Sequence, residues 1–405
     1  MTKIRILLAF SFLTFPLSAI EIQRSNKPEF VLAVFATHRS RASLLDKANE
    51  LNIASYVVNW QSKVDIKNNC IKNVWIRAGN QWFRLKKRPL PDVIYDFGVY
   101  KNSRKRKEKA NFIKEQLRSV GIQFINPEDA MGVVNDKLAF AKVMYDNQIP
   151  HPETNKYKKS NLEKMMAKHD LLFIKPTLGS KGYGIIIFEK ISKNLFSLKY
   201  KILNDKKQWV SIHKTDITKK MIHSAICEAQ KDLKKTKTTY IIQEGIRVFN
   251  YQNKQTDFRI NIQRSQSGAL SVTGLMMRIG GNLSQGGRPA DYRFVLKSFE
   301  ENGSTLITTI TDQVIQVALK THLALENFTG KEIGDLGMDV VIDNDANPYI
   351  IEANTKSGYC SEYIKKNPNL ENLYGLPPVL KICEQNDAEH EKHIIEYARH
   401  LKNNI

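Results

Sequence analysis

The chain has 405 residues, of which 42% are hydrophobic and 25% are charged; this excludes disordered, collagen-like and coiled-coil classes and predicts two or three globular units. Lys and Arg number 62 against 41 Asp and Glu, and the formal net charge of +21 favours anionic partners or, equally, a solvated lysine-rich surface. The densest basic run, residues 101–107, is too diffuse for a nucleic-acid footprint, so we expect no specific nucleic-acid partner.

Residues 1–29 are predicted to be a leader or signal-like segment. Lys3 and Arg5 precede an apolar run over residues 6–19 that ends in small residues, as secretory signals do. A buried first strand, or a start codon placed too early, would give the same pattern. Pro16 and the short run argue against a transmembrane helix, and no other stretch is apolar for long enough, so we expect no stable membrane span.

The cysteines point to a different compartment. Cys70, Cys227, Cys360 and Cys383 show neither a C-x-x-C motif nor the spacing of metal ligands. This pattern is typical of a protein in a reducing compartment and favours a cytoplasmic location. The signal-like N-terminus leaves an exported location open.

Residues 30–130 have the pattern of a small α/β domain. Apolar runs flank a helical pattern near the start of this range, which is the strand–helix–strand signature of a parallel sheet. Strands are predicted at 30–36, 54–58, 93–95 and 123–125, and helices at 41–51 and 111–120.

The chain becomes richer in strands after residue 130, and we predict a domain over 131–365 followed by a polar, helical tail over 366–405. Asn135 is a good N-cap for a helix that ends near Asn147. The domain divides into subdomains at about 150–245 and 246–365. Its further elements are strands at 171–175, 184–188, 239–243, 258–263, 270–274, 338–342 and 349–352 and a helix at 311–325.

A lysine and a glycine-rich loop carry the first chemical signal. Lys175 ends an apolar strand, and a loop follows with residues Gly179, Ser180, Lys181, Gly182 and Gly184. Glycines let the backbone approach a phosphate and turn N–H groups toward it, while the ammonium supplies the opposing charge. The residue order fits neither a P-loop nor a Rossmann turn. We predict a hairpin that covers a phosphate, with a plain glycine-rich β-turn as the alternative.

Oxygen-bearing side chains near residue 345 carry the second signal. Asp339 lies in one apolar strand, and Glu352 and Asn354 lie on one face of the next because strand side chains alternate. Hard oxygen donors in this arrangement suit one or two Mg²⁺ ions held against a triphosphate. A solvated acidic hairpin is the alternative, which the apolar strands disfavour.

Two weaker signals lie between these. Gln243 and Glu244 end a strand where side-chain and backbone groups can bind adenine and ribose. Arg259 and Arg278 lie on strands expected to be interior, where an arginine needs an anionic partner such as a phosphoryl group or a substrate carboxylate. A structural pair such as Arg259 with Asp257 is the alternative.

Together these motifs resemble the ATP-grasp superfamily. Residues 89–96 and the run from Asp257 through Arg278 to Gly287 more closely resemble the YheC/YheD group, described as endospore coat-associated. The resemblance covers about residues 30–365. It implies an α/β (α+β) ATP-grasp fold, with an N-terminal parallel-sheet domain of the pre-ATP-grasp type and two subdomains that clasp ATP.

The resemblance also implies the cofactors, ATP and Mg²⁺ as two ions, and a role for each residue. Arg259 and Arg278 would be catalytic and stabilise charge on the transferred phosphoryl group. The implied metal ligands are Asp339, Glu352 and Asn354. The implied ATP-binding residues are Lys137 and Lys175 at the phosphates, Gly179, Ser180, Lys181, Gly182 and Gly184 in the covering loop, and Gln243 and Glu244 near adenine and ribose.

The implied activity is a Mg-ATP-dependent ligase that joins a carboxylate to an amine or thiol through an acylphosphate. An ATP-grasp phosphotransferase and a spore- or coat-associated protein that binds ATP without turnover are the alternatives. The basic charge favours a small-molecule or acidic peptide substrate. An oligomer is compatible with the sequence.

Overall fold

A computed structural model of the chain describes residues 28–36, 41–98, 103–178, 184–203, 208–233, 239–280, 287–299, 304–356, 358, 360–370 and 377–404. The signal-like run at residues 6–19 and the loop residues Gly179, Ser180, Lys181 and Gly182 lie outside these ranges.

The first sheet is formed near the N-terminus. Its strands are β1 Val31–Phe35, β2 Ala54–Val58, β3 Lys63–Asp65, β4 Cys70–Ala78, β5 Gln81–Pro89, β6 Val93–Asp96 and β7 Gln123–Ile125, with helices α1 Ala42–Glu50 and α2 Arg104–Ser119. The order is β3-β4-β2-β1-β6-β7, with β5 beside β4. β1 pairs in parallel with β2 and β6, as the strand–helix–strand pattern predicts. The strands β3 to β5 were not predicted, because β5 is largely exposed and its residues lack a regular apolar alternation.

Two helices lead into the second sheet. They are α3 Glu128–Asn135 and α4 Lys137–Asp146. The cap of α4 is Asp136 and not Asn135 as predicted, since the Asp136 carboxylate accepts hydrogen bonds from the backbone N–H groups of Leu138 and Ala139. A carboxylate at this position also interacts favourably with the helix dipole, which explains why it takes the cap.

The second sheet is antiparallel throughout its described pairings. Its strands are β8 Thr154–Lys156, β9 Leu171–Pro176, β10 Ile186–Lys190, β11 Leu195–Leu203, β12 Trp209–Thr218 and β13 Tyr240–Glu244, with helices α5 Lys159–Lys168 and α6 Ile222–Asp232. The order is β12-β11-β10-β9-β13-β8. β9 and β10 form the predicted hairpin around the glycine loop, with Ile186 opposite Ile174. The strands β11 and β12 and the helix α6 were missed.

The third sheet holds the C-terminal strands. They are β14 Asn250–Tyr251, β15 Lys254–Arg264, β16 Leu270–Ile279, β17 Arg288–Ala290, β18 Asp335–Ile342 and β19 Pro348–Asn354, with helices α7 Tyr292–Leu296, α8 Ser304–Thr329, α9 Cys360–Lys366 and α10 Leu380–Asn403. The order is β17-β16-β15-β18-β19, with β14 beside β15.

The second and third sheets each bury one face and leave the other toward a shared cleft. Leu172 and Ile174 of β9 pack with the helices of the second sheet. Phe258 and Ile260 of β15 pack with α8 in the main core. Because side chains alternate along a strand, the polar residues between them, such as Arg259, are directed to the cleft.

The tail helix α10 joins the first and third sheets. Ile394 and Ile395 pack into the core of the first sheet. Near the start of the helix, Cys383 packs against Met276 of β16 and forms a disulfide with Cys360 of α9. This pairing departs from the reducing-compartment pattern that the cysteine spacing predicted. In the parts of the chain that the structure describes, no helix has the length and apolar character needed to cross a membrane.

Candidate nucleotide and metal site

Lys175 occupies the cleft face of β9 beside Gln243 of β13. Its Nζ donates a hydrogen bond to Gln243 Oε1 at 2.6 Å, and the side chain is almost wholly buried. Burial, with a smaller contribution from the nearby Lys137 charge, lowers the pKa of Lys175 to about 8. The Glu352 charge acts in the opposite direction on this ammonium and partly offsets the lowering.

One cavity brings Lys137 and Lys175 together with two of the predicted metal ligands, Glu352 and Asn354, while Asp339 does not line it. It has a volume of about 50 Å³ and is lined by Lys137, Lys175, Gln243, Glu352 and Asn354, among others. Lys137 reaches it as the first residue of α4, and its backbone N–H is anchored by the carbonyl of Thr177 just after β9. Burial lowers the pKa of Lys137 as well. Two lysines thus face a carboxylate and an amide across one small cavity.

The carboxylates Asp339 and Glu352 lie directly opposite each other on β18 and β19. Burial and the Asp339 charge raise the pKa of Glu352. Burial opposes ionisation of Asp339 too, but Arg259 and Arg278 outweigh it and lower the pKa of Asp339. Asn354 lies next to Glu352, with Nδ2 3.4 Å from Oε1. The predicted metal residues are therefore adjacent on one face of the sheet.

This donor set fits Mg²⁺. Two carboxylates and one amide offer hard oxygens, and two carboxylates that raise each other's energy are relieved by a divalent cation. Within the described ranges, no cluster of at least 3 His, Cys, Asp or Glu side chains is arranged to hold a metal. A cation at this position would therefore complete its coordination with phosphate oxygens and water, which is the usual habit of Mg²⁺.

The two predicted catalytic arginines are held by carboxylates. Arg259 Nε lies 3.0 Å from Asp339 Oδ1, and Arg278 Nη2 lies 3.0 Å from Asp339 Oδ2. Arg278 also donates from Nε to Asp257 Oδ1 at 2.9 Å and pairs closely with Oδ2. The sequence alternative was a structural ion pair between Arg259 and Asp257. The structure has ion pairs with exchanged partners, because Asp257 binds Arg278 and Arg259 binds Asp339.

A wide cleft of about 910 Å³ opens between the second and third sheets. Phe173, Ile187 and Val248 supply apolar walls from both sides. The Lys175 ammonium lies 4.9 Å from the centre of the Phe173 ring, so the cleft and the lysine-lined cavity are neighbours. The cleft is apolar beside Phe173, where it adjoins the lysine-lined cavity, while Glu189, Lys199 and Arg247 make other parts of its wall polar.

Over residues 132–377 the chain matches the family described as YheC/D like ATP-grasp. The chain belongs to the YheC/D-like ATP-grasp family. It is 26% identical over 221 residues to the endospore coat-associated protein YheD of Bacillus subtilis (strain 168), covering 53% of this chain and 45% of YheD. It is 23% identical over 323 residues to the endospore coat-associated protein YheC of the same strain, covering 77% of this chain and 82% of YheC.

The match thus spans less than half the length of YheD. Among solved structures, D-alanyl-alanine synthetase A from Vibrio cholerae O1 biovar eltor str. N16961 superimposes with a TM-score of 0.51 at 11% identity, covering 93% of this chain and 98% of that one. This likeness shows the ATP-grasp fold that the sequence predicted.

Gly184 and Glu244 of this YheC/D-like chain, both predicted to bind ATP, lie in different surroundings. Gly184 lies at the base of the loop with φ of +86°, where a Cβ atom would come within 2.8 Å of Pro176, so the position requires glycine. Glu244 is not brought to the cavity. Its Oε2 accepts a hydrogen bond from the Glu153 backbone N–H at 3.0 Å, and its Oε1 lies 3.4 Å from His169 Nδ1. Gln243, one residue earlier, has the opposite orientation and faces Lys175.

Sequence reasoning missed two residues of the YheC/D-like site. Phe173 is the cleft neighbour of Lys175, and the alternation of the strand would have identified it. His151 lines the same cavity, and burial together with the Lys175 charge lowers its pKa to about 4, so it is neutral at physiological pH. Its place in a Pro-His-Pro link carries no signal for such a role.

Proposed function

We propose that this chain is a Mg-ATP-dependent ligase that joins a carboxylate to an amine or thiol through an acylphosphate. The observation that carries the proposal is the single cavity lined by Lys137, Lys175, Glu352 and Asn354, although these residues are far apart in sequence. Family membership and the fold support ATP-dependent ligase chemistry in general. The reaction type and the role of each residue are our proposal.

The lysines would bind the triphosphate. Lys137 and Lys175 approach from α4 and β9 and would hold the α- and β-phosphates, while the apolar part of the cleft beside Phe173 would take the adenine. The loop Gly179, Ser180, Lys181, Gly182 and Gly184 would cover the phosphates. Gln243 would orient Lys175 and so fix the phosphate position, and Glu244 would contribute to the nucleotide cleft only through its backbone.

Asp339, Glu352 and Asn354 would hold Mg²⁺, as two ions against the triphosphate. Bound there, the metal would neutralise phosphate charge and align the γ-phosphoryl group. Asp339 and Glu352 would be ionised in that state, because a cation would offset both the burial and the Asp339 charge that raise the pKa of Glu352.

The chemistry would then proceed by displacement at phosphorus. A substrate carboxylate oxygen forms a bond to the γ-phosphorus while the bond to the β-phosphate oxygen breaks, giving acylphosphate and ADP. The amine or thiol next attacks the acyl carbon, loses a proton, and inorganic phosphate leaves. Arg259 and Arg278 would stabilise the charge on the transferred group, so catalysis would come from positioning and electrostatics.

Calorimetry on the folded protein tests the nucleotide site. We expect ATP binding that requires Mg²⁺, and its absence would refute the proposal. ADP release is then screened with pairs of carboxylates and amines, beginning with acidic amino acids and cell-wall fragments. Hydroxylamine traps an acylphosphate as a hydroxamate. A phosphorylated product without hydroxamate would establish a phosphotransferase, and binding without ADP release would establish a non-catalytic ATP-binding protein.

We propose the cytoplasm as the place of action, because the reaction consumes ATP. Association with a spore coat is the alternative that the names of YheC and YheD suggest. A small molecule or acidic peptide is the proposed substrate class, in keeping with the net charge of +21. Fractionation of cells and spores with an antibody against the protein distinguishes the two locations.

A further inference from the structure

The carboxylate of Asp339 is shared by two guanidinium groups. One oxygen, Oδ1, lies 3.0 Å from Arg259 Nε, and the other, Oδ2, lies 3.0 Å from Arg278 Nη2. All three side chains are at most 24% exposed, so water screens these ion pairs weakly. A metal ion that takes Asp339 as a ligand competes with both guanidinium groups for its oxygens.

The two arginines differ in what they have besides Asp339. Arg278 has a second carboxylate, Asp257, which it contacts through both Nε and Nη2. Among the described residues, Asp339 is the one carboxylate within ion-pair distance of Arg259. Displacement from Asp339 therefore costs Arg278 one of two anionic partners and costs Arg259 its partner altogether.

Backbone register fixes this asymmetry. Asp257 lies directly opposite Arg278 across β15 and β16, and Arg259 lies directly opposite Asp339 across β15 and β18. Directly opposed side chains are held within a few ångströms of each other by the strands themselves. The strands thus hold Arg278 beside Asp257, while the contact of Arg278 with Asp339 is a diagonal one.

We propose that Asp257 is a positioning residue that retains Arg278 when a metal ion takes Asp339, so that Arg259 is the arginine released toward the substrate. This inference rests on the proposed function and divides the labour between its two arginines. Arg278 stays at the sheet as a fixed cation. Arg259 becomes available when metal is bound, which couples metal loading to the assembly of the catalytic charges.

Arg259 donates a hydrogen bond from Nη2 to Asp339 Oδ2 at 3.5 Å. The test follows the guanidinium N–H resonances of Arg259 and Arg278 in the full chain during titration with Mg²⁺ alone, with the signals assigned through the Arg259→Lys and Arg278→Lys variants. We expect proton exchange with water at Arg259 to accelerate about tenfold, as for the loss of one hydrogen bond to a charged acceptor, and that at Arg278 to change less than about twofold. In Asp257→Asn, Arg278 loses its second carboxylate, so Mg²⁺ should then accelerate both signals.

Three results would overturn the inference: release of Arg278 in place of Arg259, release of both in the wild type, or no change at either arginine although calorimetry shows Mg²⁺ bound. If Asp257→Asn does not fold, the contrast between the two arginines in the wild-type protein decides alone. A wild-type protein that binds no Mg²⁺, with or without ATP, would instead overturn the metal assignment of the proposed function. The two failures are therefore distinguishable.

Discussion

Two aspartates on the same face of β18 have pKa values that are shifted in opposite directions. Asp339 lies toward the cleft, where Arg259 and Arg278 outweigh the effect of burial and lower its pKa. Asp335, near the start of the strand, is completely buried, and burial raises its pKa to about 7. Both are buried carboxylates on one strand, so burial alone does not decide their charge.

The neighbouring side chains decide the charge of each aspartate. Across β15, Asp339 faces Arg259 and Asp335 faces the neutral Gln263. Asp335 Oδ2 accepts a hydrogen bond from Tyr95 at 3.0 Å, and within the described chain its Oδ1 has no partner. His390 of α10 lies 3.6 Å away, but burial lowers its pKa to about 3 and leaves it uncharged. The end of β18 at Asp339 thus faces the cleft beside two arginines, and we call it the open end. The end at Asp335 is covered by α10, and we call it the closed end.

The largest effect is expected from removing a carboxylate at the open end. Glu352→Gln keeps the shape but removes the charge opposite Asp339, so the site loses a metal ligand and the turnover of ATP should fall at least about 100-fold. Thermal unfolding should change little, because relieving the repulsion with Asp339 offsets the lost contacts. The matched control is Glu228→Gln on helix α6, where the glutamate forms an ion pair with Lys214 away from the cavity. An unchanged rate in Glu352→Gln would count against the metal assignment.

The second prediction concerns stability at the two ends. Asp339→Asn leaves two partly buried arginines short of an anion and should lower the free energy of unfolding by about 3 kcal/mol, as breaking a buried ion pair does. Asp335→Asn removes a carboxylate whose partner at ion-pair distance, among the described residues, is the neutral His390, so it should cost far less at pH 7. Urea unfolding of both variants measures the difference. Equal losses would show that the arginines do not stabilise Asp339.

The sequence predicts the open end of β18 much better than the closed end. Asp339, Glu352 and Asn354 fall on short, strongly apolar strands joined by a turn, so alternation alone places them on one face. The burial of Asp335 depends on Tyr95 and α10, which come from distant parts of the chain and which no local pattern connects to it. Long-range contacts of this kind leave no periodic signal.

The same distinction applies to the fold. Strands such as β1, β9 and β18 were predicted because they form short, nearly continuous apolar runs whose residues are mostly buried. β5 and β12 were missed because they lie at the margins of their sheets and carry many polar residues. The orientation of Glu244 depends on the one-residue alternation that separates it from Gln243, which a motif does not specify.

A third prediction extends the comparison to Lys175, a cation whose described hydrogen-bond partner is an amide. With a pKa of about 8, it is charged below that pH and neutral above it. The affinity for Mg-ATP should therefore fall as the pH rises above about 8, by at most tenfold per pH unit for one titrating group. Lys175→Arg stays charged and should abolish this fall, whereas Lys190→Arg, at a lysine paired with Asp170, should leave it in place. Calorimetry at pH 7 to 9 provides the measurement, and a wild-type affinity independent of pH would contradict it.

The last effect is a pH dependence at the closed end, where each pH unit changes the stability by a small step. Because burial raises the pKa of Asp335 to about 7 in the folded protein, above the ordinary value of 3.8, the folded state holds its proton more tightly than the unfolded state. The tighter binding of this proton therefore stabilises the folded state fully below pH 3.8, and this stabilisation is lost as the pH rises toward 7. The slope is at most about 1.4 kcal/mol per pH unit.

Asp335→Asn has no proton to lose at this position, so its free energy of unfolding should improve relative to the wild type between pH 5 and 7 and then level off. Urea unfolding at several pH values measures both proteins, and the amide oxygen of the introduced asparagine can still accept the hydrogen bond from Tyr95. The Arg41 charge favours ionisation of Asp335, although burial outweighs it. A difference that shrinks as the pH rises would mean that His390 or Arg41 stabilises an ionised Asp335. The two ends of β18 would then both be carboxylate–cation pairs, and the contrast between them would be one of access to the cleft and not of charge.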